Sequence, residues 1–438
     1  MINIKYVEQW KADPKCGPEL SRSGDILLTS ADKNPICAGG WHIVHDGIRE
    51  GSAYDIVVRV RIKYVGRPRD ALQCTGSWFA LGSSESPHSS KRPYFFLIPR
   101  KISETEIEFR RVMTAPPGAK ELTIRYAFKW TLEGCAEWSL PSVRETSAPV
   151  PRKVRAAVVT GSMRKIKETK FNSISDHVKF YGSICEDACR SAKPDLIVLP
   201  ELSLQWRLSK HGVFEHSVAI PGFETDIFAK IAAANNAHIV VATLEQAGSG
   251  RCHNAAAVIG PKGVVGIYRK VHLAPGESES GITPGESFPV FQTPIGRLAC
   301  NICMDSSSLE SSRLAELVGA EILALPIMGD FRADRHTPGE PVFDEIRWKA
   351  IMMTRAMDNS MHFVIARNDS IGSCIVDPLG SIIAWNDGTH DFINAEMELD
   401  KESRMWNGCL CRDALWVTRR PHLYGIFTDA GNNAQLKL

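Results

Sequence analysis

The hydrophobic pattern of this chain changes about a third of the way along its length. Early strands alternate apolar and polar residues, as in YDIVVRVRIKY at 54–64 and ELTIRYAFKW at 121–130, which is typical of strands with one buried face. Later strands, beginning with VRAAVVT at 154–160, are continuously apolar and are separated by segments with helical spacing. Because 438 residues is also long for one hydrophobic core, we predict two domains, residues 1–147 and 148–438.

The first domain is predicted to be all-β. Two further strand candidates, PYFFLIPRK and EIEFRRVMT, lie between the alternating strands, and no helix-length periodic segment occurs before about residue 165. Short strands separated by turn-rich segments favour a β-sandwich, here of jelly-roll-like type. The domain boundary is expected within TSAPVPRK at 146–153, whose prolines and small residues are typical of linkers.

The second domain is predicted to be α/β. Its apolar strand candidates include PDLIVLPEL, AHIVVATLE, GRLACNIC and AEILALPI, and helical spacing marks 173–191, 223–236 and 343–359. Apolar strands that alternate with helices indicate sheets covered by helices.

Charge and composition exclude several classes of protein. Lys and Arg number 52 against 50 for Asp and Glu, and the charges are interspersed, so neither nucleic acid nor an anionic membrane is expected as a partner. No signal-peptide core or run of 18 apolar residues is present, which predicts a soluble, cytoplasmic protein. The twelve cysteines are scattered along a long chain without paired zinc spacing, so we expect neither a disulfide scaffold nor a metal or other cofactor.

Three reactive side chains follow predicted strands of the second domain. They are Glu201, Lys270 and Cys303, and ligands of α/β sheets gather beyond the carboxyl ends of strands, so we expect the three to converge. Hydrolysis of an amide proceeds faster through a covalent acyl-enzyme, for which a cysteine sulfur is the strongest side-chain nucleophile. A helix start and Lys270 are expected to favour the thiolate of Cys303.

The other two groups supply proton transfer and charge stabilisation. Glu201 can accept the thiol proton, pass it to the leaving amine and later activate water. The ammonium of Lys270, with the backbone N–H of Met304 just after the nucleophile, would hold the developing oxyanion.

The order of these residues within their motifs resembles the nitrilase superfamily, the carbon-nitrogen hydrolases of α-β-β-α sandwich fold. The resemblance covers about residues 153–428 and depends on Pro-Glu at 200–201, Tyr-Arg-Lys-x-His-Leu at 268–273, Gly-Arg-x-x-x-x-Ile-Cys-x-Asp at 296–305, Arg-Ala-x-Asp-Asn from 355 and Asp-Pro-x-Gly at 377–380. It implies Cys303 as nucleophile, Glu201 as general base, Lys270 as transition-state stabiliser and Glu277 as a second glutamate. It also implies a homo-oligomer packed through helices of the sandwich.

Each motif also has a structural interpretation. A lone cysteine after an apolar strand is more often a buried small hydrophobe, and we assign Cys300 to that class. We expect His272 to pack or hydrogen-bond beside the site, as a candidate substrate or oxyanion contact together with Met304. Glu310 and Arg313, three residues apart on a helix, are predicted to form a structural ion pair.

Departures from the family pattern reduce the range of substrates that we expect. Residues 306–308 are serines, whereas members that bind an N-carbamoyl amino acid carry arginines shortly after the cysteine. Nitrile-hydrolysing members usually place an aromatic residue where Met304 stands. A small-molecule amide is therefore the expected substrate, and Trp206, Arg207 and Asp330 are candidates to line its pocket.

The first domain resembles the β-sandwich of carbohydrate-binding modules in residues 36–61 and 113–143. This resemblance makes carbohydrate a candidate ligand, since exposed aromatic rings stack on sugars. The ring candidates are Trp41, Trp78, Trp130 and Trp138. The alternatives are tryptophans in the core and a module that docks on the hydrolase domain or forms an oligomer interface.

The predicted function is hydrolysis of a non-peptide carbon-nitrogen bond, releasing ammonia or an amine through a cysteine thioester. One alternative is a catalytically spent scaffold that binds a glycan or a partner. The others are nitrilase or acyltransferase variants of the same chemistry.

Overall fold

The structure is a computed structural model that describes residues 2–33, 37–80, 94–208, 212–330, 334–335, 342–405 and 408–428. Its internal contacts divide the chain into two units. The first consists of Met1–Val150 together with Arg404–Leu438, and the second is Pro151–Ser403. We call them the sandwich unit and the α/β unit.

The sandwich unit contains two antiparallel sheets. Its elements are β1 (Asn3–Lys11), β2 (Glu19–Ser23), β3 (Ile26–Ser30), β4 (Ala38–Asp46), β5 (Ala53–Lys63), α1 (Pro68–Ala71), β6 (Leu72–Ala80), β7 (Tyr94–Phe96), β8 (Ile98–Lys101), β9 (Glu106–Thr114), β10 (Ala119–Lys129), β11 (Cys135–Ser139) and β12 (Ser142–Thr146). One sheet has the order β1-β4-β10-β6-β7; the other has the order β2-β3-β11-β5-β9-β8, with β12 also paired to β5.

The alternation seen in the sequence places one face of each sheet in a shared core. In β5, Ile56 and Val58 are buried while Arg59 and Arg61 between the buried positions are exposed. The facing sheet contributes Tyr126 and other residues of β10 to the same core. The predicted all-β sandwich is therefore confirmed as two sheets over one core.

The α/β unit contains the strands and helices that alternate in the later sequence. Its strands are β13 (Lys153–Val159), β14 (Leu196–Val198), β15 (His238–Gln246), β16 (Cys252–Gly260), β17 (Gly263–Arg269), β18 (Val290–Thr293), β19 (Gly296–Cys300), β20 (Ile322–Ile327), β21 (Asp334–Arg335), β22 (Val342–Phe343), β23 (His362–Arg367), β24 (Cys374–Val376), β25 (Ile382–Trp385) and β26 (Phe392–Glu398). Its helices are α2 (Met163–Glu168), α3 (Ile174–Ala192), α4 (Phe223–Asn235), α5 (Pro275–Glu279), α6 (Leu309–Val318) and α7 (Glu345–Asn359). Helix α3 begins with a capping box, in which Ser173 Oγ accepts from the Asp176 amide and Asp176 accepts from the Ser173 amide.

Two six-stranded sheets pack face to face in this unit. Their orders are β17-β16-β15-β14-β13-β26 and β18-β19-β20-β23-β24-β25, each with three parallel strands at the centre. Both faces of the central strands are buried. In β13, Ala156 and Val158 pack between the sheets, whereas Ala157 and Val159 pack in the core that contains α3 and α4. Helices α6 and α7 cover the other sheet, so the predicted α-β-β-α sandwich is confirmed.

The segment after Ser403 groups with the sandwich unit, although we had assigned it to the second domain. It contains α8 (Cys411–Thr418) and two short 3₁₀ helices, Pro421–Leu423 and Gly425–Phe427. Asp413 pairs with Arg111 at 2.9 Å, and Arg420 pairs with Asp70 at 2.6 Å. In the part of the chain described here, none of the helices has the length and apolarity required to cross a bilayer.

The predicted ion pair between Glu310 and Arg313 is wrong. Arg313 Nη1 instead lies 3.4 Å from Glu316, one turn further along α6, and Arg313 Nη2 donates to the carbonyl of Asp358 at 2.6 Å. The carboxylate of Glu310 accepts from Ser308 Oγ at 2.7 Å. A three-residue spacing permits several pairings on a helix, and the α7 carbonyl favours the one observed.

Burial of Trp138 predicts a large stability cost when its ring is removed. The side chain is fully buried, stacks on Tyr126 at 4.8 Å and donates from Nε1 to Thr29 Oγ1 at 3.0 Å. We expect Trp138→Ala to lower the free energy of unfolding of the sandwich unit by about 3–5 kcal/mol, measured by urea denaturation. Trp130→Ala is the control, since that ring is 53% exposed and its loss should cost under about 1 kcal/mol. Equal losses in the two variants would contradict the assignment of Trp138 to the core.

Candidate active site

The structure brings Glu201 and Lys270 together at the carboxyl ends of two strands of the same sheet. Glu201 follows β14, Lys270 follows β17 directly, and Lys270 Nζ lies 2.9 Å from Glu201 Oε1. Cys303 follows β19 of the facing sheet, and its thiol interacts electrostatically with both charges. The three residues therefore meet where the two sheets end side by side.

Lys270 is the central group of this cluster. Its side chain is 1% exposed and donates to two carboxylates, Glu201 at 2.9 Å and Glu277 at 2.6 Å. Glu277 lies in the first turn of α5 and also accepts from the Ala274 amide at 2.7 Å, which fixes its orientation. Burial disfavours the ammonium, but the negative charges of Glu201 and Glu277 outweigh it, and the pKa of Lys270 is raised.

Asn254 bridges the two carboxylates and was missed by the sequence analysis. Its Nδ2 lies 2.8 Å from Glu201 Oε1 and 2.6 Å from Glu277 Oε1. The residue is fully buried in β16, every position of which is buried. An amide inside the apolar run HNAAAVIG was the available signal, because a buried polar side chain requires a partner.

Backbone and amide donors complete the shell around Glu201. The second carboxylate oxygen, Oε2, accepts from the Met328 amide at 3.1 Å. The Glu201 carbonyl accepts from Asn368 Nδ2 at 2.5 Å. Glu201 is thus held at its backbone and at both carboxylate oxygens, which leaves the side chain little freedom to change rotamer.

Cys303 has a constrained backbone. It begins a 3₁₀ helix, Cys303–Ser307, with φ of 44°, a conformation that is rare for residues with a Cβ and that clusters at functional sites. Its sulfur lies 3.5 Å from the carbonyl oxygen of Gly329, as a donating thiol would.

The expected thiolate at Cys303 is not what the surroundings favour. Burial and the carboxylate of Glu201 raise the pKa of Cys303, and the opposing effect of Lys270 is smaller. The helix that follows is a single 3₁₀ turn of five residues, so little dipole is available to stabilise an anion. The surroundings of Cys303 therefore favour the thiol.

Asp305 connects the nucleophile turn to the lysine segment. It is fully buried, and its Oδ2 accepts from Tyr268 Oη at 2.7 Å and from the Ile302 amide at 2.9 Å. Oδ1 accepts from the backbone and the ring Nδ1 of His272, both at 2.9 Å. The hydrogen bond to Asp305 raises the pKa of His272 against the effect of burial. His272 thus lies beside the site as a hydrogen-bonding group.

The remaining candidates divide between the site and the scaffold. Met304 follows the nucleophile and is partly exposed, and buried Asp330 accepts from Ser306 Oγ at 3.0 Å. Trp206 instead packs against the core with α3 and α4, and Arg207 donates to the carbonyl of Ile166 at 2.9 Å. Cys300 is 2% exposed in the core between the sheets, as predicted.

The α/β unit is similar in sequence and fold to known proteins. A family model described as carbon-nitrogen hydrolase matches residues 155–403, more than half of the chain. The omega-amidase of Xenopus tropicalis is 29% identical over 205 residues, which cover 42% of this chain and 70% of that protein. A nitrilase of Pyrococcus abyssi is 31% identical over 219 residues, covering 47% and 77% respectively. The fold is similar to that of the NitFhit protein of C. elegans, with a TM-score of 0.50, 21% identity, and coverage of 63% of this chain and 67% of that one.

The charges around Cys303 predict opposite effects of two substitutions on thiol reactivity. Glu201→Gln removes a negative charge that holds the sulfur protonated, so iodoacetamide should alkylate Cys303 faster at pH 8, by on the order of tenfold per unit of lowered pKa. Lys270→Met should slow the same reaction, because the positive charge that favours the thiolate is lost.

Peptide mapping by mass spectrometry separates Cys303 from the other thiols, and the pH dependence of its labelling gives the apparent pKa. Cys303→Ala provides the background. If the labelling profiles of the wild type and Glu201→Gln coincide, Glu201 does not control the sulfur.

Proposed function

Since the chain belongs to the carbon-nitrogen hydrolase family, we propose that it cleaves the amide bond of a small molecule through a thioester on Cys303. The observation that carries the proposal is the buried contact of Lys270 with Glu201 and Glu277 beside a cysteine thiol. It supplies a nucleophile, a base and a fixed positive charge in one place.

In the proposed first step, Glu201 takes the thiol proton while the sulfur attacks the amide carbon. Glu201 fits this role because, after burial, its negative charge contributes most to holding Cys303 protonated, so transfer of the proton removes the repulsion between the two groups. Glu277 is the weaker candidate, since the carboxylate that acts on the protonation of Cys303 is that of Glu201.

The tetrahedral intermediate carries a negative oxygen, which we assign to Lys270 and the Met304 amide. The raised pKa of Lys270 keeps its ammonium charged, as electrostatic stabilisation requires. Met304 lies in the first turn of the helix that begins at Cys303, and N–H groups in a first turn lack acceptors within their own helix.

Collapse of the intermediate expels the amine, which takes the proton from Glu201 and leaves a thioester. Glu201 then accepts a proton from water, the hydroxide attacks the thioester, and the proton returns to the departing sulfur. One carboxylate serves both half-reactions. At the end of the cycle the carboxylate of Glu201 and the thiol of Cys303 are regenerated.

An amide is the proposed substrate class. The omega-amidases among the relatives are named for amide chemistry, and Met304 stands where an aromatic residue would favour nitriles. The spent-scaffold alternative has no observation in its favour, because Lys270, Glu201 and Glu277 form a buried hydrogen-bonded cluster beside the thiol of Cys303.

We also propose a homo-oligomer that packs through the outer helices of the α/β unit. Apolar side chains are exposed on α6, at Leu314 and Val318, and on α7, at Ile346, Met353 and Met357. A contiguous exposed apolar surface is typical of an interaction site.

The proposed location is the cytoplasm, which keeps thiols reduced and in which the twelve free cysteines would be stable.

For the sandwich unit we propose a jelly-roll topology, supported by the interleaved orders β4-β10-β6-β7 and β3-β11-β5-β9. Stacking of neutral sugars has little support there. Trp41 and Trp138 are in the core and Trp78 packs against it, and the exposed ring of Trp130 is already in contact with Lys129 and Arg420.

Removal of the nucleophile tests the proposed mechanism. We expect Cys303→Ala to abolish ammonia release from primary amides with no change in the folded structure, because a partly exposed thiol is replaced by a smaller group. Cys300→Ser is the matched control three residues away and should retain most activity. Ammonia release by Cys303→Ala at the wild-type rate would refute the proposal.

Replacement of Lys270 tests the oxyanion role separately. Lys270→Ala should lower kcat by about a hundred-fold or more, with a smaller effect on KM because the oxyanion exists only in the transition state. Lys270→Arg should not restore the rate, since a planar guanidinium cannot take the place of an ammonium held between two carboxylates. Steady-state kinetics on one amide measures both, and a near-normal rate for Lys270→Arg would show that the ammonium has no specific role.

A further inference from the structure

The outer face of the five-stranded sheet in the sandwich unit carries a cluster of cations. Residues 124, 126 and 128 of β10 face the core, so Arg125 and Lys129 extend from the opposite face. The C-terminal segment adds Arg420, which affects the protonation of Lys129 together with Arg125. We call Arg125, Lys129 and Arg420 the cation cluster.

Arg125 is placed by aromatic stacking without an ion pair. Its guanidinium lies 3.7 Å from the ring centroid of Trp10, and Trp10 is fixed by a 2.9 Å hydrogen bond from Nε1 to the carbonyl of Tyr126. A Cβ on Gly40 would come within 2.2 Å of that same carbonyl oxygen, so glycine is needed there. Arg125 Nε is buried without a hydrogen-bond acceptor.

Lys129 and Arg420 meet at the ring of Trp130. The ammonium lies 4.1 Å and the guanidinium 4.9 Å from the ring centroid. The acceptor of Lys129 is the neutral amide oxygen of Gln73, and Asp70 is engaged by Arg420 at 2.6 Å. Among the residues that the structure describes, these three cations therefore share one carboxylate.

This excess of positive charge destabilises the folded state, because the cluster is partly buried. Burial, followed by repulsion from Arg420 and Arg125, lowers the pKa of Lys129 to about 8, and Asp70 offsets only part of the effect. Cations gathered without counter-ions destabilise a fold unless something compensates them. An anion in contact with the cluster would reverse each of these costs.

We propose that the cation cluster is a binding site for an oxyanion, a carboxylate or a phosphate carried by a small ligand. Guanidinium groups present paired N–H donors that match the oxygens of both anions. The guanidinium of Arg125, whose Nε has no acceptor, and the ammonium of Lys129, whose acceptor is a neutral amide oxygen, are the donor groups for such a ligand. The aromatic rings of Trp10 and Trp130 hold the cations in place.

A groove on the other sheet has a smaller excess of positive charge. It has a volume of about 400 Å³ and is lined in part by Asp55, Arg59, Glu108 and Arg110. There Arg110 pairs with Asp55 at 2.8 Å and Arg59 with Glu108 at 3.3 Å, so each of these arginines already has its anion. Exposed Arg144 in that groove therefore provides a matched control for loss of one positive charge.

Calorimetric titration of the full-length protein tests the proposal. The probes are inorganic phosphate and glucuronate, with glucose as the uncharged control. We expect at least one oxyanion to bind and glucose not to bind. Phosphate alone would identify a phosphate ligand, glucuronate alone a carboxylate ligand such as an acidic sugar, and both the shared chemistry. Lys129→Met and Arg420→Gln should each weaken binding at least tenfold, whereas Arg144→Gln should leave it unchanged.

Proton linkage supplies a readout that general surface attraction would not give. A bound anion stabilises the charged form of Lys129 and raises its pKa, so binding at pH 8.5 should take up protons. Titrations in two buffers with different ionisation enthalpies measure this uptake, which should disappear in folded Lys129→Met. If neither oxyanion binds, or if both cluster variants bind as well as Arg144→Gln, the proposal is wrong.

Discussion

The buried ammonium of Lys270 is the interaction on which the rest of the active site depends. Removing a charge from water costs several kcal/mol, and the cost is recovered only with well-placed partners. Glu201 and Glu277 supply those partners at 2.9 and 2.6 Å, and Asn254 crosslinks them on the far side. Loss of any one member would leave the others buried without compensation, so the geometry is strongly coupled.

The same network explains the state of the nucleophile. Burial and the carboxylate of Glu201 keep Cys303 protonated, and the opposing effect of the Lys270 ammonium is smaller. A thiol protected in this way is less exposed to oxidation than a thiolate. In the proposed mechanism the sulfur becomes reactive only when its attack on a bound substrate is coupled to proton transfer. The reaction is then restricted to the time when a substrate is in the site.

Much of this arrangement could be predicted because it depends on local rules. The period-two faces of β5 and β10, the apolar strands of the α/β unit and the positions of Glu201, Lys270 and Cys303 after strands are all visible in the sequence. The role of Asn254 was not visible, because a single amide in a strand gives no indication of its partners. The protonation of Cys303 depends on a sum of distances and burial that only the folded chain defines.

The two charged clusters of this protein differ in a way that bears on what each can bind. Around Lys270 the positive charge is balanced by two carboxylates in direct contact with the ammonium. Around Lys129 the protein itself leaves positive charge without enough carboxylate. A satisfied network stabilises a transition state because its dipoles need not reorganise, whereas an unsatisfied one attracts a ligand in the ground state. The balance of charge therefore differs between the cluster proposed for catalysis and the cluster proposed for ligand binding.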